Sequence, residues 1–114
     1  MADLKYSHEA QNDLFGIKSY IEDELKNPSA AERVLKKIVN KNYLLEMAPQ
    51  IGAPLSSIID IETDYRFLVA GSYISFYRYV EIDNTCYIDR VLYCRRDYLS
   101  ILFGEKISQN EDEE

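Results

Sequence analysis

The chain has 114 residues, 46% hydrophobic and 12% aromatic, with 13 Lys/Arg against 20 Asp/Glu. These are globular values, and a chain this long can bury about two-thirds of the surface that its unfolded form exposes, so residues 1–106 are expected to form a single domain. No apolar run approaches the roughly 20 residues that a membrane-spanning helix needs. The first ten residues, MADLKYSHEA, lack the basic-then-apolar pattern of a secretory signal, so a soluble cytoplasmic protein is expected. In that reducing compartment Cys86 and Cys94 should stay unpaired and pack as small hydrophobes.

The formal net charge of −7 is unevenly placed. Residues 1–65 carry 7 Lys/Arg against 11 Asp/Glu, residues 66–106 carry 6 against 5, and residues 107–114, ISQNEDEE, add four acids and no base. The tail is expected to be a solvated, disordered end. An acidic chain is a poor candidate for binding nucleic acid by itself, because affinity for phosphates comes mainly from clustered Lys and Arg.

Residues 3–6, DLKY, alternate as a short first strand does. Ser7 is a good N-cap, Glu9 sits in the first turn, and Ala10, Leu14, Ile17, Ile21 and Leu25 recur at three or four. That pattern predicts an amphipathic helix of about five turns. Asn27-Pro28 ends it, since proline disfavours a helical residue before it and cannot continue the hydrogen-bond ladder. Ser29 and Glu32 have capping-box spacing and should open a second helix, with Ala31, Leu35, Ile38 and Leu45 turned inward and Ala48-Pro49 at its close. So short a connection makes the two helices an antiparallel hairpin.

Residues 49–54, PQIGAP, read as a loop. Beyond it the hydrophobic period falls from 3.6 to 2, and residues 57–61, 66–70, 73–80 and 86–93 are expected to be strands. Gly71-Ser72 and Asp83-Asn84 are turn residues at hairpin spacing, which makes the strands an antiparallel meander. Ile74, Phe76 and Val80 share a side, as do Ile88 and Leu92, and these suit the face that covers the helices. Tyr73, Tyr77 and Tyr79 lie on the opposite side and suit a half-exposed face. Asp97 can cap a short last helix carrying Leu99, Leu102 and Phe103. The expected fold is α+β: an N-terminal antiparallel helical hairpin on a mainly antiparallel four-stranded sheet, with a short C-terminal helix.

Little in the chain suggests a metal or cofactor. His8, the one histidine, reads as a solvated first-turn residue, and Glu22, Asp23 and Glu24 as a solvated helix face. Cys86 and Cys94 lack CxxC spacing and a histidine neighbour, so no zinc site is expected. There is no Gly-rich phosphate loop, nucleophile elbow or HExxH motif. What remains is concentrated between residues 66 and 103, which hold five of the six arginines and six of the ten tyrosines. Arg66, Arg78, Arg90, Arg95 and Arg96, with Tyr93 and Tyr98, are the candidate site. Guanidinium forks suit phosphates and carboxylates, and phenols stack on bases or help to move a proton. Arg78 and Arg90 can equally pair with Asp89, Asp97 or Glu81 and merely solubilise the sheet. Arg95-Arg96, at a strand end, is placed to present donors to an anion.

Two helices, a meander, then RFLVAGSYISFYRY, a turn and IDRVLYCRRDY resemble the RelE/ParE superfamily of bacterial plasmid-stabilisation toxins, which belong to type II toxin–antitoxin systems. The likeness spans about residues 3–104. FYRY followed by RVLYCRRDY looks like the ParE branch, whose pattern ends RVLHGRRD, with Tyr93 and Cys94 here at the histidine and glycine places. The resemblance implies a toxin neutralised by a cognate antitoxin, in a toxin–antitoxin hetero-oligomer. RelE-type members cut messenger RNA on the ribosome. Arg66 and Arg96 fall on two of their basic positions, but Ile74 and Leu102 stand where the strand arginine and terminal tyrosine would be. ParE-type members bind DNA gyrase and poison it without a known catalytic centre. The resemblance therefore implies contact with gyrase through Arg78, Arg90, Arg95, Arg96, Asp97 and Tyr98. The alternatives are a ribosome-dependent mRNA endonuclease using Arg66, Arg96, Tyr93 and Tyr98, and a non-toxic member that only binds antitoxin.

Overall fold

In the computed structural model, which describes residues 1–104, the first helix begins where its cap stands. The Ser7 hydroxyl accepts the Ala10 N–H at 3.0 Å and donates to the Asp89 carbonyl at 2.7 Å. One side chain thus satisfies an orphan helix donor and ties helix α1 (His8–Ser19) to strand β5 (Thr85–Tyr93). A π-helical turn, Tyr20–Glu24, continues α1, and Lys26 takes a left-handed conformation (φ 52°) to reverse the chain. Helix α2 (Pro28–Met47) starts earlier than the Ser29–Glu32 pattern suggests. Its cap is Asn27, whose Oδ1 accepts the Ala30 N–H at 3.1 Å, while the Ser29 hydroxyl donates to that same oxygen. Pro28 fills the first helical position, where a missing N–H costs nothing. The acidic tail at 107–114 lies outside the described residues.

The sheet has five strands in the order β1-β5-β4-β3-β2. Strand β1 (Asp3–Tyr6) runs parallel to β5; β2 (Ala53–Pro54), β3 (Arg66–Ala70) and β4 (Tyr73–Val80) complete an antiparallel meander with it. Gly71 (φ 62°) makes the two-residue β3–β4 turn, and Asn84 (φ 49°), one of the few side chains that tolerates that region, makes the next. The stretch at 57–61 is not a strand. Leu55–Ser57 is a 3₁₀ turn in which the Ser57 hydroxyl donates to the Pro54 carbonyl at 2.6 Å, a local bond that competes with a sheet ladder. Leu55 itself is fully buried.

A register shift decides which side chains meet the helices. Phe76 pairs with Arg90 but Tyr77 pairs with Ile88, so Asp89 is an extra residue, a β-bulge that reverses the alternation along β5. Ile88 and Leu92, expected on one side, therefore belong to different cores. Tyr77, Cys86, Ile88, Val91, Leu68 and Ala70 pack against Ala10, Ile38 and Leu45 of the helices, with Tyr73 and Tyr79 at the margin. The tyrosine side of β4 is thus the helix-covered side, and Tyr77 is completely buried. Phe76 and Leu92 face the other way, against Leu55, Ile74, Phe67 and the helix α3 (Tyr98–Phe103). Alternation sorts residues into two sides but does not say which side each helix covers. Here α3 and the 3₁₀ turn close the face that the hairpin leaves open. No helix among the described residues is long and apolar enough to cross a membrane.

Both cysteines are free; Cys86 is buried, which pushes its thiol up to about 11, and Cys94 is exposed. A disulfide reagent added to native protein near neutral pH is expected to consume one thiol promptly and the second only on unfolding. Rapid reaction of two equivalents would contradict this packing.

Candidate functional site

The bulge that flips β5 also builds a polar cluster. Asp89 Oδ2 accepts the Tyr65 hydroxyl and the Arg78 Nε–H, each at 2.9 Å, and the Arg78 guanidinium lies 6.0 Å from the Tyr65 ring centre. Burial, then the hydrogen bond to Asp89, pushes the Tyr65 phenol up to about 12. Asp89 in turn raises the Arg78 guanidinium above its ordinary value. Arg90 reaches instead to α1 and grips Asp13 in a fork, Nε and Nη2 each at 2.8 Å, while the Val91 N–H donates to the same carboxylate at 2.9 Å. Of the three sheet arginines, Arg66, Arg78 and Arg90, only Arg78 has a carboxylate partner from the β4–β5 hairpin. Arg66 forms no ion pair among the described residues; its Nη1 donates to the carbonyls of Gln50 (3.1 Å) and Gly52 (2.7 Å) and holds the loop before β2.

The end of β5 is different. Arg95 and Arg96 are exposed and form no ion pair among the described residues. Their backbone is fixed nonetheless: the Cys94 N–H donates to the Ser72 carbonyl at 2.8 Å, Arg96 N–H to Tyr93 at 2.9 Å, and Tyr98 N–H to Arg96 at 2.9 Å. Asp97 caps α3, Oδ1 accepting the Ser100 N–H at 3.3 Å and Oδ2 the Ser100 hydroxyl at 2.8 Å. Tyr98 is turned inward, its ring 5.1 Å from Phe76. Tyr93 is turned outward, 42% exposed and edge-on to Tyr73 at 5.7 Å.

These exposed groups border a groove of about 820 Å³ between α1 with its π-turn, the start of α2 and the ends of β4 and β5. Gly16, Ile17, Tyr20 and Val34 line one side, Tyr73 and Tyr93 the other, and Arg96 stands at its end. A Cβ on Gly16 would meet nothing within 4 Å, so this glycine leaves the groove wide. Tyr20, the first residue of the π-turn, also lines the groove, and apolar spacing does not announce that turn.

The candidates consequently separate. The ladder sets Arg66 opposite Tyr77, while Tyr93 lies opposite Tyr73 and Tyr73 opposite Ala70. The two rows are about 13 Å apart at 3.3 Å per residue, so Arg66 is not brought to Arg96. Tyr93, Arg95 and Arg96 are together in the chain; Arg78 is held by Asp89 of β5 and Arg90 by Asp13 of α1. No group of His, Cys, Asp or Glu among the described residues could hold a metal ion.

This arrangement of a helical hairpin, a mainly antiparallel sheet and a short last helix is the RelE/ParE toxin fold. Residues 4–98 match the model of the family described as the ParE toxin of the type II toxin–antitoxin system parDE, and the chain belongs to that family. Among solved structures it is similar to a chain of the chromosomal ParDE toxin–antitoxin system from P. aeruginosa, with a TM-score of 0.67 and 22% identity over 82% of this chain and 96% of that one. A chain of the Mycobacterium tuberculosis RelBE2 toxin–antitoxin complex aligns with a TM-score of 0.60 and 20% identity, covering 81% of this chain and 96% of that one. The isolated E. coli RelE toxin aligns at 0.51 and 14%, covering 94% and 99%. No curated protein matches the sequence.

Proposed function

We propose that this type II toxin acts in the cytoplasm by protein–protein contact with DNA gyrase, and that a cognate antitoxin silences it by seating an apolar segment in the groove beside Arg96. The observation that carries this reading is the exposed Arg95-Arg96, which forms no ion pair among the described residues and whose Arg96 lines that groove. A fixed backbone turn with two free guanidinium forks suits recognition of a partner's carboxylates, and an antitoxin lying in the groove would cover it. Separation of Arg66 from Arg96 favours recognition over catalysis, since an RNA-cleaving site needs its base, acid and phosphate-binding groups around one bond.

Purified full-length protein is expected to inhibit gyrase supercoiling and to trap cleaved DNA. In the Arg95→Ala/Arg96→Ala double variant inhibition should weaken at least tenfold, which corresponds to about 1.4 kcal/mol of lost contact, with thermal stability unchanged because both side chains are solvated. Neither inhibition nor trapped cleavage by saturating wild type would sink the gyrase reading. The second reading, ribosome-dependent cleavage of messenger RNA, draws on the adjacency of Tyr93 and Arg96. It requires cut message in translating ribosomes, lost in Arg96→Ala.

A further inference from the structure

Five of the exposed cations of this acidic chain, Arg33, Lys37, Lys41, Arg95 and Arg96, are gathered, while Lys5, Lys18, Lys26 and Lys36 are exposed elsewhere. Arg33, Lys37 and Lys41 stand four residues apart on α2, hence along one flank, beside the Ala30 and Val34 that line the groove. All three are exposed, and none forms an ion pair among the described residues. The Lys37 ammonium lies over the β3–β4 turn, where a Cβ on Gly71 would stand 3.6 Å from its Nζ. The next residue of that turn, Ser72, accepts the Cys94 N–H at 2.8 Å, immediately before Arg95-Arg96. A helix flank and a strand end that are distant in sequence thus become one cationic rim around the turn. Asp13, which lines the groove, is engaged with Arg90 and Val91, and Asp97, next to Arg96, with Ser100. Glu32 lies toward the other flank of α2, in a depression with Lys18 and Lys36.

We propose that this rim docks on the phosphate backbone of duplex DNA. The proposal rests on the gyrase reading, since that target holds a duplex. Spread, solvated cations with no ion pair among the described residues suit phosphates. Each contact releases a condensed counterion and needs no fixed side-chain geometry. The net charge of −7 repels a polyanion everywhere else. Binding is therefore confined to the rim, weak alone, and oriented so that the neighbouring groove end faces the DNA-bound enzyme.

The test is fluorescence anisotropy of a short labelled duplex with the full-length protein, without gyrase, at salt between roughly 50 and 200 mM. Wild type should bind, and more weakly as salt rises. Arg33→Gln/Lys37→Gln/Lys41→Gln, with an unchanged circular dichroism spectrum, should reduce the slope of log affinity against log salt by about 2.7, at 0.9 per lost cation. Absence of binding at the lowest salt, or an unaltered slope in the triple variant, overturns the proposal. So does preference for polyglutamate, which marks an acidic protein partner, or for single-stranded RNA. Because gyrase is absent, the outcomes separate: gyrase inhibition without duplex binding removes the rim's role alone, and duplex binding without inhibition removes the gyrase target alone.

Discussion

Gly52→Ala is expected to lower the unfolding free energy by about 3 kcal/mol, combining overpacking with the loss of a buried hydrogen bond. A Cβ there would stand 2.6 Å from a Tyr77 ring carbon and 2.7 Å from both the Tyr77 hydroxyl and the Phe67 carbonyl oxygen. The last of these is backbone in the β2–β3–β4 ladder and cannot swing aside. Separating the loop from the sheet would break the bond from the Gly52 N–H to the Tyr77 hydroxyl (3.0 Å), which itself donates to the Pro49 carbonyl at 2.9 Å. It would also disturb the two carbonyls that hold Arg66. Gly16→Ala is the matched control. With nothing near its Cβ and a position inside α1, it should stabilise by about 0.5–1 kcal/mol through lower unfolded-chain entropy. Urea unfolding of both variants checks the pair; a Gly52→Ala cost under about 1 kcal/mol would mean that the loop yields and that the Tyr77 anchor is weak.

Asp13→Ala is expected to cost about 3 kcal/mol, near the lower end for breaking a buried ion pair because some solvent reaches both partners. The side chains of Arg90 and Asp13 are 25% and 13% exposed. Without the carboxylate, a guanidinium that had two hydrogen bonds and the buried Val91 N–H lose their acceptor together. Asp13→Leu with Arg90→Met should recover only part of the loss, since an apolar pair leaves no uncompensated charge but gives the buried Val91 N–H no acceptor. Lys18→Ala, which removes a 3.4 Å pair to Glu22 on the helix surface, should change stability by no more than about 0.5 kcal/mol. Equal losses for Asp13→Ala and Lys18→Ala would show that the Asp13 clamp is no stronger than a surface pair. Asp13 also lines the groove, so its loss should weaken antitoxin capture along with stability.

What was readable in the chain was mostly local. Ser7 and Asp97 cap α1 and α3 as their positions suggest, because a cap is a bond across three residues. The Asn27 cap was obscured by a competing Ser29–Glu32 pattern, and Pro28, well suited to a first helical position, settles the choice. The stretch at 57–61 reads as a strand by alternation but loses to the Ser57–Pro54 bond. Arg78 with Asp89 lies within reach of a hairpin argument. Arg90 with Asp13 spans 77 residues, and no local pattern carries it.

By itself, the sequence determined the helical hairpin, strands β3 to β5 with the two turns between them, and membership of the toxin superfamily, through RFLVAGSYISFYRY and RVLYCRRDY, but not strand β2 inside the expected loop at 49–54. These depend on spacing along the chain. Only the tertiary structure decided which face of the sheet the helices cover, which arginines are held and which stay open, and that Arg33, Lys37 and Lys41 join Arg95-Arg96 at one rim. The physical reason is the bulge at Asp89. One extra residue reverses every side chain beyond it, and sends Val91 to the helices and Leu92 to α3.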